Sequence, residues 1–174
     1  MKLHITLTLD DYIAFNIAHA FRSPAQQKNL RIGRLMPAMI SLFFVLLFLA
    51  CGMRGAVLWA EIAALAIVAA VGYFRYPKTY ENSIRKHILK LKEEGRLPYS
   101  EESDVAFGED SMTETAPNHT NLIPYSDLLD VWETDEHFFV MFGALQAIII
   151  PKRCVDDPQL LLAFLSKKAA GAQG

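Results

Sequence analysis

The chain has only two cysteines in 174 residues, Cys51 and Cys154, which gives no disulfide framework and no metal-ligand spacing. Its five histidines, His4, His19, His87, His119 and His137, lie in separate segments and form no HxxxH or HExxH pattern, so the common zinc signatures are missing. No nucleotide-binding motif stands out either. Ser126 has no evident base, and Asp127, Asp130 and Glu133 recur at three-residue intervals beside a strand pattern, where they do not share one face. These absences point away from an enzyme. No catalytic residue, metal or cofactor is expected.

Charge is missing from one long stretch. Leu35 to Met53 is uncharged, and nineteen residues at about 1.5 Å each approach the ~30 Å hydrocarbon core of a bilayer. After Arg54, Gly55 and Ala56 a second apolar run, Val57 to Phe74, carries a single charge, Glu61. A chain this short has too little remaining material to wrap forty apolar positions in a soluble core, so residues 35–74 read as a transmembrane hairpin with spans at 35–53 and 57–74. The alanines of the second run, Ala60, Ala63, Ala64, Ala66, Ala69 and Ala70, offer a face for close helix packing. Glu61 is the only intramembrane carboxylate. It lies one turn past the loop, where it can reach the interface or pair with Arg54; otherwise it would mark an ion pathway in an oligomer.

Orientation follows from the basic residues. Lys28, Arg31 and Arg34 precede the first span, and Arg75, Lys78, Arg85 and Lys86 follow the second, with Lys90 and Lys92 beyond. The connecting loop has only Arg54, so both termini are expected to be cytoplasmic, with two spans in a plasma (inner) membrane. This belt would meet an anionic leaflet, whereas residues 99–174, with four basic and thirteen acidic groups, should stand off it. The Asn118-His119-Thr120 triplet matches a glycosylation acceptor but would not meet the machinery in this orientation.

Around the hairpin, Leu3 to Leu9 alternates apolar and polar residues as a strand does, and Asp10 or Asp11 can cap a helix ending near Ser23-Pro24. Residues 1–34 thus form an N-terminal cytoplasmic strand and helix. Residues 75–98 form a basic juxtamembrane helix with Pro77 in its first turn; it extends the second span or lies at the interface, and Tyr73, Tyr76 and Tyr80 favour extension. After a linker, 99–103, short strands separated by turn residues fit an antiparallel meander, and a helix opens at Asp156 or Asp157 with Leu160, Leu161, Phe164 and Leu165 as its apolar face. This C-terminal domain spans 99–168, and 169–174 reads as a disordered tail. The arrangement resembles the small open barrel of pleckstrin-homology-like domains, an α+β class overall. Seventy residues make a thin core, so the N-terminal strand is a candidate to complete the sheet. Trp132, Phe138, Phe139 and Phe142 supply core, with one face of their strand left for membrane or partner.

Pro151-Lys152-Arg153 is the candidate binding feature, two cations at a strand exit that could hold phosphate or else balance nearby acids. In order, Thr8-Leu9-Asp10-Asp11-Tyr12, the hairpin, Tyr125-Ser126-Asp127-Leu128 with Val131 and Glu133, and Ala147-Ile148-Ile149-Ile150-Pro151-Lys152-Arg153 make the chain similar to the YcxB-like family of small bacterial membrane proteins. That resemblance implies a cytoplasmic YcxB-like domain and a membrane location, with no established activity. The expected function is a membrane-anchored, non-enzymatic interaction or regulatory module, the alternative being an oligomeric transporter or channel subunit using Glu61. Its partners would be the lipid bilayer and a protein, a second copy included, and not nucleic acid.

Overall fold

The alternation at the N-terminus folds as strand β1 (Lys2–Thr6), and the helical spacing behind it as α1 (Leu9–Arg22). In the computed structural model, which describes residues 1–143 and 146–172, helices α2 (Pro24–Ala50) and α3 (Ala56–Glu93) follow. Strands β2 (Glu102–Phe107), β3 (Ser111–Ala116), β4 (His119–Pro124), β5 (Asp130–Glu133), β6 (His137–Met141) and β7 (Ala147–Pro151) lead to helix α4 (Pro158–Ala172). The chain divides into two units, Met1–Phe15 with Leu97–Gly174, and Asn16–Arg96. The first boundary between these units falls inside α1.

In the first unit all strand pairs are antiparallel. One sheet has the order β1-β2-β3-β4 and the other β5-β6-β7. Leu3 stands opposite Val105 and Ile5 opposite Ser103, so the larger sheet takes an outer strand from across the hairpin. Burial explains the recruitment. Ile5 is completely buried and joins a core with Val105, Met112, Phe138, Val140, Ile148, Ile150, Leu161 and Leu165. The stretch expected to be a linker, 99–103, already enters β2 at Glu102.

Strand β6 is buried along its whole length, on both faces. Phe138 and Val140 enter the main core. Phe139 points the other way, where the rings of Phe15 at 5.5 Å and Trp132 at 5.4 Å meet it. The face left for membrane or partner in the sequence reading is therefore covered by the chain's own first helix. In α4 the Asp157 carboxylate caps the helix, accepting the N–H groups of Gln159 (3.1 Å) and Leu160 (3.0 Å). Leu161 and Leu165 are its buried pair, whereas Leu160, placed on the apolar face by the sequence, is exposed. The helix continues through residues 169–172, against the disordered tail expected there; 173 and 174 lie outside the described residues.

The second unit is a hairpin of α2, 27 residues, and α3, 38 residues, roughly 40 and 57 Å long. Both are long and apolar enough to cross a membrane. The less exposed positions recur at heptad-like spacing: Leu30, Gly33, Pro37 and Ser41 on α2, and Leu58, Ile62, Leu65, Ala69, Gly72 and Tyr76 on α3. Ser41 donates its hydroxyl to the Leu65 carbonyl at 3.1 Å, and Tyr80 donates to Gln26 Oε1 at 3.0 Å. Only Ala69 of the six alanines lies on this seam; the other five are exposed. Close approach comes instead from Gly72, where an added Cβ would fall 2.7 Å from Pro37. Phe43, Trp59 and Phe74 project away from the seam, 62%, 70% and 78% exposed.

Helix α2 stops at Ala50, so Cys51, assigned to the first span by its sequence context, lies in the connecting turn. The reason is a glycine C-terminal motif: Gly52 has φ +78°, its N–H bonds to the Leu49 carbonyl, and that of Met53 to Phe48. Gly95 ends α3 in the same way. Pro77 does not open a separate helix. It sits inside α3, which runs unbroken from the apolar segment into the basic one. Losing one intrahelical N–H is tolerated because seam contacts lie on both sides, with Tyr76 against Gly33 and Tyr80 against Gln26.

Candidate functional site

The sequence Thr8-Leu9-Asp10-Asp11 starts α1 with a reciprocal cap. The Asp11 N–H donates to Thr8 Oγ1 at 3.3 Å, and the Thr8 N–H donates back to Asp11 Oδ2 at 2.7 Å. This is a capping box with aspartate in the third helical position. The cap is thus Thr8, not Asp10 or Asp11. The arrangement turns the Asp11 side chain back over the start of the helix.

Asp11 is 4% exposed and sits among cationic and polar donors. Arg153 grips it with both terminal nitrogens, Nη1 to Oδ1 at 2.8 Å and Nη2 to Oδ2 at 2.6 Å. His137 Nε2 lies 2.7 Å from Oδ1, and the Thr8 hydroxyl donates to Oδ2 at 2.7 Å. Burial alone would push the Asp11 carboxyl up. The hydrogen bonds from Arg153, His137 and Thr8 outweigh it and hold the group well below the usual carboxylate range. The same bonds to Asp11 raise Arg153 further above its ordinary value, against a smaller effect of burial.

Each partner is itself positioned. Arg153 lies in a short 3-10 turn, Lys152–Cys154, behind Pro151, and its Nη2 also donates to the Thr6 carbonyl at 2.9 Å. The backbone N–H of His137 donates to Thr134 Oγ1 at 3.2 Å, and its ring stacks on Phe139 at 5.6 Å. Tyr12 stacks on Tyr99 at 4.8 Å beside the cluster. Burial, with the nearby charges of Glu101 and Asp11, pushes the Tyr99 hydroxyl up. A carboxylate so fully occupied has little capacity left as a general base. Its chemistry is that of a clamp.

The two cations read as a binding feature are therefore engaged within the domain. Arg153 holds Asp11, while Lys152 bridges to Glu133 at 2.8 Å and lies 4.9 Å from the Phe138 ring centroid. Sequence reasoning named both residues but not their partners. The Thr-x-x-Asp spacing was the available signal for Asp11; nothing local marks His137. Ser126 donates to Asp127 Oδ1 at 3.2 Å. Among the described residues, no group of three His, Cys, Asp or Glu is placed to hold a metal.

The basic belt belongs to the hairpin unit. Lys28, Arg31, Arg75, Lys78, Arg85 and Lys86 are exposed, and Arg34 is half-buried with its guanidinium 5.9 Å from the Tyr73 ring centroid. Glu61 is exposed on α3, and among the described residues no ion pair joins it to Arg54. An open depression of about 570 Å³ lies elsewhere on the first unit, lined by Glu109, Asp110, Tyr125, Ser126, Phe164, Lys167 and Lys168. Lys168 is tied there to the Glu109 carbonyl and lies 4.9 Å from the Tyr125 ring centroid.

The stretch from the end of β2 into α4 matches the family model described as YcxB-like protein, over residues 107–165. These residues are a YcxB-like domain. The YcxB-like match contains His137, Arg153, Lys152 and Glu133, but Asp11 and β1 lie outside it. The clamp thus joins the family domain to a segment upstream of the hairpin. No curated protein and no solved structure matches the chain.

Proposed function

We propose that the protein is a membrane-anchored, non-enzymatic interaction module whose hairpin holds a cytoplasmic YcxB-like domain at the bilayer. The observation that carries this reading is the hairpin's outward surface: its large apolar side chains face away from the α2–α3 seam, a costly arrangement in water and a comfortable one in lipid. The basic residues at one end of both helices support an orientation with both termini in the cytoplasm of a bacterial cell and the short turn outside. Among the described residues, seven strands in two antiparallel sheets, followed by a helix, support a pleckstrin-homology-like fold for the domain. The internal pairing of Lys152 and Arg153 supports a structural role for them over phosphate binding.

Proximity labelling combined with co-purification from native membranes tests the reading. A protein that labels and co-purifies with the full chain is the expected result; a chain that fractionates away from membranes without detergent overturns it. A second reading rests on Glu61, an exposed carboxylate on an apolar helix without an ion pair to Arg54: an oligomer of hairpins would gather these carboxylates into an ion path. Flux in proteoliposomes that disappears in Glu61→Gln would establish it.

A further inference from the structure

Strand β4 ends the larger sheet, with β3 on one side only. Its register defines what the other side presents. Ala116 and His119 flank a two-residue turn and form a hydrogen-bonded pair, which makes Glu114 with Asn121 and Met112 with Ile123 the next such pairs. The Tyr125 N–H to the Asp110 carbonyl, 3.0 Å, continues the same series. His119, Asn121 and Ile123 therefore spend their backbone groups on β3. Thr120 and Leu122 turn theirs outward, with the Pro124 carbonyl beyond them. Among the described residues, no backbone bond from another element reaches Thr120 or Leu122. Leu122 is 67% exposed.

Such an edge is a template for another strand, and proteins commonly guard theirs with lysine. Here the guard is missing from β2 to β7, although Lys2 stands on the opposite edge strand, β1. Residues 99–151 contain eleven aspartates and glutamates and neither lysine nor arginine. Three acids lie at the end of the hairpin where β4 finishes, Glu109 and Asp110 before β3 and Asp127 after β4, with Lys167 and Lys168 of α4 beside the first two. A second copy would bring the same negative charge to this edge, and the chain's own basic segment, 75–93, is helical. We infer that β4 adds an extended, lysine- or arginine-bearing segment of a partner protein, with backbone bonds to Thr120 and Leu122, an apolar contact at Leu122, and selectivity from the acidic field. The inference rests on reading the domain as an interaction module.

Leu122→Pro is the decisive variant because its N–H faces outward: the substitution removes a donor from the docking edge and none from the β3 ladder. The full chain in detergent micelles, with Trp59→Phe as the common background, is titrated with a labelled seven-residue peptide alternating lysine and valine, and Trp132 fluorescence monitors folding. The wild type is expected to bind it, and to bind at least tenfold more weakly a glutamate–valine counterpart and a lysine–valine peptide N-methylated at alternate amides. Leu122→Pro and Leu122→Lys are expected to lose at least tenfold while remaining folded. Equal binding of the N-methylated peptide, unchanged affinity in Leu122→Pro, or a dimer dispersed by Leu122→Lys overturns the proposal. A membrane partner that co-purifies equally with Leu122→Lys overturns the strand edge and leaves the module standing.

Discussion

Asp11 and Arg153 stand 142 residues apart in sequence and meet in a bidentate ion pair, with N–O distances of 2.8 and 2.6 Å. The aspartate is buried and the arginine side chain about half exposed, so the two substitutions differ. Arg153→Ala leaves a buried carboxylate without its main counter-charge. It should cost about 3 kcal/mol, the lower end for breaking a buried pair, because water can reach part of the vacated space. Asp11→Ala frees an arginine that can turn into solvent and should cost less. Chemical denaturation of the detergent-solubilised chain, run as a double-mutant cycle, measures both and their coupling. Additive costs would mean that the pair contributes nothing beyond its parts.

The same carboxylate sets an acid limit. Its folded-state pKa lies well below the ordinary value of 3.8, so as pH falls the unfolded chain takes up this proton before the folded one does. The contribution is complete above about pH 5 and is lost progressively as pH drops through the carboxylate range. The denaturation midpoint should therefore fall more steeply between pH 5 and pH 3 in the wild type than in Asp11→Asn, which has no such proton to bind. Parallel curves would assign the acid sensitivity to other groups.

Periodicity made the strands and helices legible, including the C-terminal helix and an N-terminal strand, read at Leu3 to Leu9 and found at Lys2–Thr6 with Leu9 already opening α1, because alternation and helical spacing are local signals. The wrong details share a different origin. Leu160 was grouped with its apolar neighbours, but which of them turn inward depends on the sheets they meet. The alanines of the second apolar run suggested a packing face, yet the seam follows a register set by Pro37, Ser41 and Gly72 across two helices. The clamp was half-visible: Thr8 and Asp11 have capping-box spacing, whereas their link to His137 and Arg153 exists only once the hairpin closes the chain on itself.

Ile5 tests whether the N-terminal strand belongs to the domain. It is fully buried opposite Ser103, and Ile5→Ala should cost about 2–5 kcal/mol, as expected for truncating a core isoleucine. Deleting residues 1–10 removes β1 and its hydrogen bonds to β2, so residues 97–172 should become sensitive to limited proteolysis. Retained protease resistance would mean that the remaining six strands suffice.

Gly72 does the same for the hairpin. A Cβ there would lie 2.7 Å from Pro37, closer than packed side chains approach, so Gly72→Leu must separate the helices. Ala66→Leu adds similar bulk on the exposed side of α3 and should be tolerated. Ser41→Cys with Leu65→Cys, on a Cys51→Ser, Cys154→Ser background, reports the seam: oxidative cross-linking should drop severalfold in Gly72→Leu and stay near its starting level in Ala66→Leu. Equal loss in both would place the seam elsewhere.

The two native cysteines read the orientation without any added tag. Cys51 is exposed in the turn between α2 and α3, and Cys154 is partly exposed beside Arg153 in the domain. With both termini cytoplasmic, a membrane-impermeant maleimide added to intact spheroplasts should label Cys51 and spare Cys154. After permeabilisation both should react, Cys154 the more slowly because it is partly covered. Single variants, Cys51→Ser and Cys154→Ser, assign the two signals. Labelling of Cys154 alone in intact spheroplasts would invert the topology, and with it the expectation that the acidic, open strand edge of the domain meets cytoplasmic partners.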